Sequence, residues 1–330
     1  MNPGRLTHTQ AVFLMVGVTI LWSTAGVVSR VLESAGRFEV TFYRSAFTVL
    51  SLMWMLPLWR AWSRRQAPQT TSITSSTRSS AWGETLHRHW GFLPESRTFW
   101  LSGVCWSVMF TAFMLALGFT SVANVLILMA LGPLLTALLA RVVLGQSLAS
   151  RTWVTIVAAA LGIVYMYGSQ FWSAMADPQT PIGDLLIGSG LALCVPLAGA
   201  INWTAVQRVQ HKGERIDLVP AVLLGAILST LYTLPAALPG TASASDVAWL
   251  AMLGWLQLSV PCTLSVVCAR ALKAAEVSLL GLLEVIFGIA LTWAFVNEVP
   301  STEVLVGGGL VILALVLNEA LGWRERQTSA

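Results

Sequence analysis

Charged residues are scarce in this chain: Asp, Glu, Lys and Arg make up 10% of its 330 residues, against 56% hydrophobic. A water-soluble domain of that size needs far more polar surface to cover its core, so the expected solvent is lipid. Histidine is nearly as sparse. His8, His87, His89 and His211 all fall outside the apolar runs, so no buried metal site can be assembled from them. The four cysteines, Cys105, Cys194, Cys262 and Cys268, lie inside apolar runs and form no CxxC pair, which favours packing over a disulfide framework. No GxxxxGK-S/T loop occurs, so a nucleotide-driven pump is disfavoured and no cofactor is expected. The apolar runs are continuous rather than alternating at period two, which excludes an outer-membrane barrel.

What the chain does have is ten apolar runs, at 11–32, 40–59, 99–119, 122–142, 152–167, 183–206, 218–238, 247–268, 275–295 and 302–322. A hydrocarbon core of roughly 30 Å needs about 20 helical residues at about 1.5 Å rise each, with every backbone group paired inside the helix. The fold class expected is therefore an all-α integral membrane protein. A short basic leader precedes the first run, but the length of that run and the nine behind it favour a retained helix over a cleaved signal.

Orientation follows from the basic residues. Of the nineteen Lys and Arg, all but Arg30, Arg37 and Arg44 fall in tails or loops on one side of the ten runs. Short basic loops resist translocation, so that side is expected to be cytoplasmic and to hold both termini, in the cell (plasma or inner) membrane. The net charge of +4 then reports topology, and no nucleic-acid partner is expected, because the charge is spread over every inner loop instead of one face. The loop 61–98 breaks the pattern. Its Ser-, Thr- and Gln-rich part, 66–80, reads as disordered, and Trp82, His87, Trp90 and Phe92 suggest a short piece lying on the bilayer.

An internal repeat sets the architecture. Sliding the chain by 152 positions lays Val122, Ala123, Leu128, Leu134 and Gln146 over Ala274, Ala275, Leu280, Ile286 and Glu298. Each half holds five runs, an odd number, so the second copy must enter the membrane with opposite polarity. Residues 1–168 and 169–330 are the two expected repeats, and the bundle is expected to be a 5+5 inverted repeat of ten helices. Such repeats characterise secondary transporters, because two poses related by a pseudo-two-fold axis give alternating access.

Several short motifs recur in order: Leu21-Trp22-Ser23 with Arg30 in the first run, Phe42-Tyr43-Arg44 in the second, Ser121 to Asn124 leading to Leu131-Gly132-Pro133 in the fourth, and Leu283-Glu284 in the ninth. In these the chain resembles the EamA-like branch of the drug/metabolite transporter superfamily over nearly its whole length, the 61–98 loop excepted. The resemblance implies a ten-helix, two-repeat bundle moving small polar or amphipathic metabolites, often outward. Two departures stand out. The acid common after Leu-Gly at the end of the fourth run is Gln146 here, while its counterpart stays Glu298; and the usual Glu-Pro pair of the ninth run is Glu284-Val285.

Ionisable groups at membrane depth are costly, so they mark function or a specific packing partner. Glu284 shares a helical face with Gly281, Gly288 and Thr292, a stripe suited to a cavity wall or a close helix contact. It is a candidate to carry a proton or meet a substrate amine. Arg44 offers a planar fork to a substrate carboxylate; the alternative is that it snorkels to the headgroups or pairs with Glu33 or Glu39. Trp22, Thr24, Asn124, Asn202 and Gln257 complete the candidate substrate or coupling residues, with Pro196, Gly199, Trp203, Pro261 and Ser265 on related stripes. The triplet Gly307 to Gly309 reads as close helix packing.

These readings favour a secondary transporter of a small metabolite, partnered by the bilayer and by a proton or counter-substrate. The alternative is a membrane-embedded enzyme acting on a lipid or small amphiphile. That reading wants a reactive cluster, whereas Asp177, Asp184, Asp217 and Asp246 fall in loops or at run ends. A channel would want a ring of pore charges. Reporter fusions at Gly118 and Arg270 are expected to report opposite sides of the membrane; the same side for both would end the inverted-repeat reading.

Overall fold

The computed structural model describes residues 6–66, 96–145, 150–176, 182–211, 218–268, 271–272 and 274–328. They form helices α1 (His8–Val31), α2 (Arg37–Gln66), α3 (Arg97–Phe119), α4 (Val122–Met129), α5 (Gly132–Leu144), α6 (Ser150–Ala176), α7 (Ile182–His211), α8 (Val219–Thr233), α9 (Ala244–Met252), α10 (Val260–Cys268), α11 (Ala274–Val296) and α12 (Thr302–Thr328). A 3-10 turn, Leu234–Ala236, extends α8, and a π-helical segment, Leu253–Ser259, joins α9 to α10. Among the described residues these pieces make ten helical segments, eight of them long and apolar enough to span a bilayer by length and composition alone. The polar part of the 61–98 loop, its aromatic piece, Gln146, Arg270 and Lys273 lie outside the described residues.

Most run ends fall within a few residues of the observed helices, with larger extensions where polar ends carry on the helix. The second run continues to Gln66 instead of entering a loop at 61, and the fifth runs to Ala176. Two runs are interrupted within their length. In the fourth, Pro133 has no N–H to offer the Met129 carbonyl, so the chain turns at Ala130 and Leu131 and restarts at Gly132. In the eighth, Pro261 has no N–H for Gln257, and the Val260 N–H reaches back five residues to the Trp255 carbonyl. The ninth run, which has Val285 where a proline is usual, is the unbroken helix α11.

The packing fixes which ends share a face. Residues Ala11, Met15 and Val18 of α1 cluster with Cys268 and Leu272 before α11, while Arg30 at the far end of α1 meets Glu298 just past α11. The two helices therefore run parallel. Helix α12 runs antiparallel to α6: Gly322 sits against Arg151, and Gly307 against Gly162. Both described termini thus lie on one face, here the terminal face. The second repeat begins at the opposite face, where Asp184 of α7 binds Arg37 at the start of α2 (3.1 Å) and Gly188 meets Phe119 and Thr120. Gly118 is there too, against Arg37, while Cys268 and Leu272 lie at the terminal face. The repeat is inverted, as its odd run count demands.

Small residues set the helix separations. A Cβ on Gly162 would stand 2.6 Å from the Gly307 carbonyl oxygen, and one on Gly307 2.5 Å from that of Gly162, so α6 and α12 touch backbone to backbone. Gly308 fits against Ile127 in the same way, so two of the three glycines serve packing, as read from the sequence. Gly103 and Gly225 join α3 to α8. Without a hydrophobic drive between helices in lipid, close van der Waals contact and interhelical hydrogen bonds must hold the bundle. The bonds run as a seam: Ser229 pairs with Ser45 (2.9 Å) and with Thr111 (2.7 Å), Tyr232 donates to the Ser107 carbonyl (2.8 Å), and Ser51 bonds Ser259.

Acids at the opposite face tie connections together. Asp246 accepts from the N–H groups of Glu33, Ser34 and Ala35 (2.9 to 3.0 Å), so the α1–α2 turn wraps the start of α9. Glu39 collects the N–H groups of Gly36, Thr241 and Ala242. Gly225→Val is expected to lower the melting temperature of the purified protein, at a cost of ~1–3 kcal/mol for the forced overlap with Trp106. Gly309→Ala, where nothing lies within 4 Å, leaves it unchanged or slightly raised; an unchanged Gly225→Val would refute the packing account.

Candidate functional site

A cavity of about 630 Å³ opens between the repeats. Its walls come from α1, α3, the α4–α5 break, α7, α10 and α11. The small residues that make it are identifiable: a Cβ on Gly281 would meet nothing within 4 Å, one on Gly132 would come no nearer than 3.8 Å to Pro196, and one on Gly199 would reach Met109 Sδ at 3.6 Å. The break after Met129 borders the same space, so this stretch of irregular backbone lines a chamber.

Glu284 and Trp22 line this chamber, as do Pro196, Gly199, Trp203 and Ser265 from the related stripes. The Glu284 stripe divides along its length. Gly281 is open to the chamber, whereas Gly288 packs on Leu126 and Thr292 on Gly26. Both readings of that stripe, cavity wall and helix contact, are therefore realised one helical turn apart. Glu284 itself is half-buried and makes no hydrogen bond or ion pair among the described residues.

Arg44 is placed otherwise. It is wholly buried, neither snorkelling nor paired with Glu33 or Glu39. Its Nη2 donates to the Phe110 carbonyl (2.6 Å) and its Nη1 to Gln257 Oε1 (3.3 Å), with the Phe113 ring 5.9 Å away and Nε unpartnered. Gln257 passes the contact on, donating from Nε2 to the Trp22 carbonyl (3.3 Å). Arg44 and Gln257 thus form a brace behind the Trp22 wall and do not line the chamber. The other three candidates do not line it either. Thr24 donates to its own helix at Leu21 (2.7 Å), Asn124 donates to Thr120 Oγ1 (3.1 Å), and Asn202 is buried with its Oδ1 unpartnered.

Sequence reasoning passed over Gln207, Thr136, Met15, Met109 and Met129, all of which line the chamber. A signal existed for Gln207, which follows Gly199 and Trp203 at the four-residue spacing of one helical face. Thr136 stands three residues past Pro133 on the same argument. The methionines carry no such mark, because a thioether reads as core filler in any apolar run. Trp203 is steadied edge-on by Trp106, ring centroids 6.5 Å apart.

The chamber reaches toward the terminal face through Met15, Gln207, Leu272 and Val277. Toward the opposite face it is shut. Gly26 packs against Val122 and Thr292, and beyond them Arg30 Nε binds Glu298 Oε2 at 2.6 Å. That pair is fully engaged: Arg30 also donates to the carbonyls of Leu117 (2.7 Å) and Thr120 (2.9 Å), and Glu298 Oε1 accepts the Val122 N–H (2.8 Å). One charge-assisted cluster thereby joins α1, α3, α4 and the end of α11.

Comparison with known proteins accords with this architecture. No curated protein shows significant sequence similarity to the chain. A solved structure, described as a crystal structure of a protein, is similar over 96% of this chain and 99% of its own, with a TM-score of 0.57 and 16% identity; at that identity the likeness speaks to fold alone. The EamA-like transporter family matches residues 9–168 and 186–319, once per half. With two family units covering most of its length, a five-plus-five inverted bundle and a chamber between the halves, the chain belongs to the EamA-like transporter family.

Proposed function

We propose that this multi-pass membrane transporter is a secondary active exporter of a small polar or amphipathic metabolite, such as an amino acid or a related compound. It works by alternating access between the inverted repeats, in the plasma membrane with both termini cytoplasmic. The observation that carries the reading is a mid-bundle chamber reaching one face and sealed from the other by the Arg30–Glu298 cluster. With the basic loops on the terminal face, the chamber faces the cytoplasm and stands ready to load cargo.

Glu284 is the residue assigned to cargo or coupling. A carboxylate at membrane depth with no partner in the protein must find one, either a proton or a cationic group of the cargo. Trp22 and Trp203 supply apolar walls. Arg44 and Gln257 are positioning residues that hold the Trp22 backbone. The energy source consistent with these parts is an ion gradient or an exchanged counter-substrate, since no nucleotide-binding loop is present in the sequence.

Cells expressing the protein, screened for tolerance to toxic metabolites and analogues, are expected to tolerate one compound class. Glu284→Gln is expected to abolish that tolerance while the protein reaches the membrane at normal levels. Full tolerance in Glu284→Gln refutes the assignment, and accumulation of a modified lipid without tolerance to any compound favours an enzyme.

A further inference from the structure

The chamber's described lining is almost wholly neutral. Among the described residues that line it, Glu284 is the sole ionisable side chain; the remaining polar ones, Gln207, Thr136 and Ser265, are neutral. We propose that the cargo is a singly charged organic cation, a primary or substituted amine on an apolar, preferably aromatic, body that carries no carboxylate. The proposal rests on the chamber being the transport site and narrows its chemistry, excluding amino acids themselves from the wider class of small metabolites and keeping their carboxylate-free amine relatives.

Three observations converge on this class. First, Glu284 has no cationic or hydrogen-bonding partner among the described residues, so an ammonium entering the chamber supplies the missing counter-charge. Second, the walls suit the remainder of such a molecule. Trp22 and Trp203 provide aromatic rings, the best protein partners for a cation near a ring face. Met15, Met109 and Met129 provide polarisable, adaptable thioethers, which tolerate apolar bodies of varied shape.

Third, no described residue lining the chamber is a cation that could receive a carboxylate. An amino acid or other zwitterion needs a cation beside its acid group, and Arg44 is the described intramembrane cation nearest in sequence logic to that task. It is withdrawn from the chamber: the side chain is wholly buried, and both terminal nitrogens are spent on Phe110 and Gln257. Arg30 is likewise committed, at the opposite face, to Glu298 and two carbonyls. A carboxylate placed beside an ionised Glu284 would meet a like charge and, among the described lining residues, no opposing one. The site therefore discriminates by omission, rejecting the acid by leaving it unpaired.

The test uses three ligands that share one ring and chain: 2-phenylethylamine, phenylalanine and phenylacetate. Binding to the purified full-length protein is measured at neutral pH by calorimetry. The amine is expected to bind at least about tenfold more tightly than phenylalanine, the ratio that one unpaired charge readily exceeds. Phenylacetate is expected to bind most weakly. Glu284→Gln is expected to erase the preference for the amine with an unchanged melting temperature, and Trp203→Leu to weaken the amine while keeping the ranking.

Equal or tighter binding of phenylalanine or phenylacetate overturns the proposal, as does an amine preference that survives Glu284→Gln, or failure of all three to bind monodisperse, folded protein. Failure of the class and failure of the site are separable. Phenylalanine bound tightly by the wild type and lost in Glu284→Gln removes the cation assignment but leaves the site. Normal transport by Glu284→Gln in cells removes the site itself.

Discussion

Hydrocarbon offers a polar group no partner, and that constraint decides where each charge in this bundle can stand. Arg30, Arg44 and Glu298 are all met by protein: Arg44 by a carbonyl and an amide, Arg30 and Glu298 by each other and by the helix ends around them. Glu284 alone among these faces open space. The contrast separates structure from function without appeal to position in the chain. A satisfied charge holds helices together, and an unsatisfied one at a chamber wall is available for a ligand or a proton.

The same constraint explains how the chamber exists at all. Broken backbone is tolerated at membrane depth only where it borders protein or a cavity, and the interruption at Ala130 and Leu131 borders the cavity. Glycines divide into two kinds along the same helices. Those at Gly26, Gly162, Gly288 and Gly307 are filled by a neighbour and close the bundle, while Gly281 is left unfilled and opens it. One residue type thus builds both the sealed half and the open half, depending on whether a facing helix presents a side chain or withdraws.

Much of the fold was legible in the sequence. Ten runs of the right length, an odd count per half and one-sided basic loops lead to the inverted bundle without any knowledge of contacts, because thickness and charge act on every run independently. Glu284 and Trp22 were legible for a related reason: a lone acid and a large amphipathic ring are conspicuous in an apolar run. What could not be read was depth around the helix axis. Arg44, Asn124, Asn202 and Gln257 are as polar as the chamber residues, yet each points into a helix contact, and only the three-dimensional packing distinguishes the two fates. The methionines were invisible for the opposite reason. The kinks were legible as prolines but not as a pair: Pro133 breaks its segment and Pro261 sits beside a π segment, while their repeat counterparts stay regular.

The central claim is that the two ends of the chamber move in opposite senses. Spin labels at Gln10 and Arg208, exposed on α1 and α7 at the terminal face, report one end; labels at Phe295 and Asp184 report the other. Distances measured by pulsed electron paramagnetic resonance in lipid nanodiscs, with and without the compound to which expressing cells become tolerant, are expected to shorten for the first pair and lengthen for the second. Distances that stay fixed at both ends, or that lengthen together, would contradict alternating access.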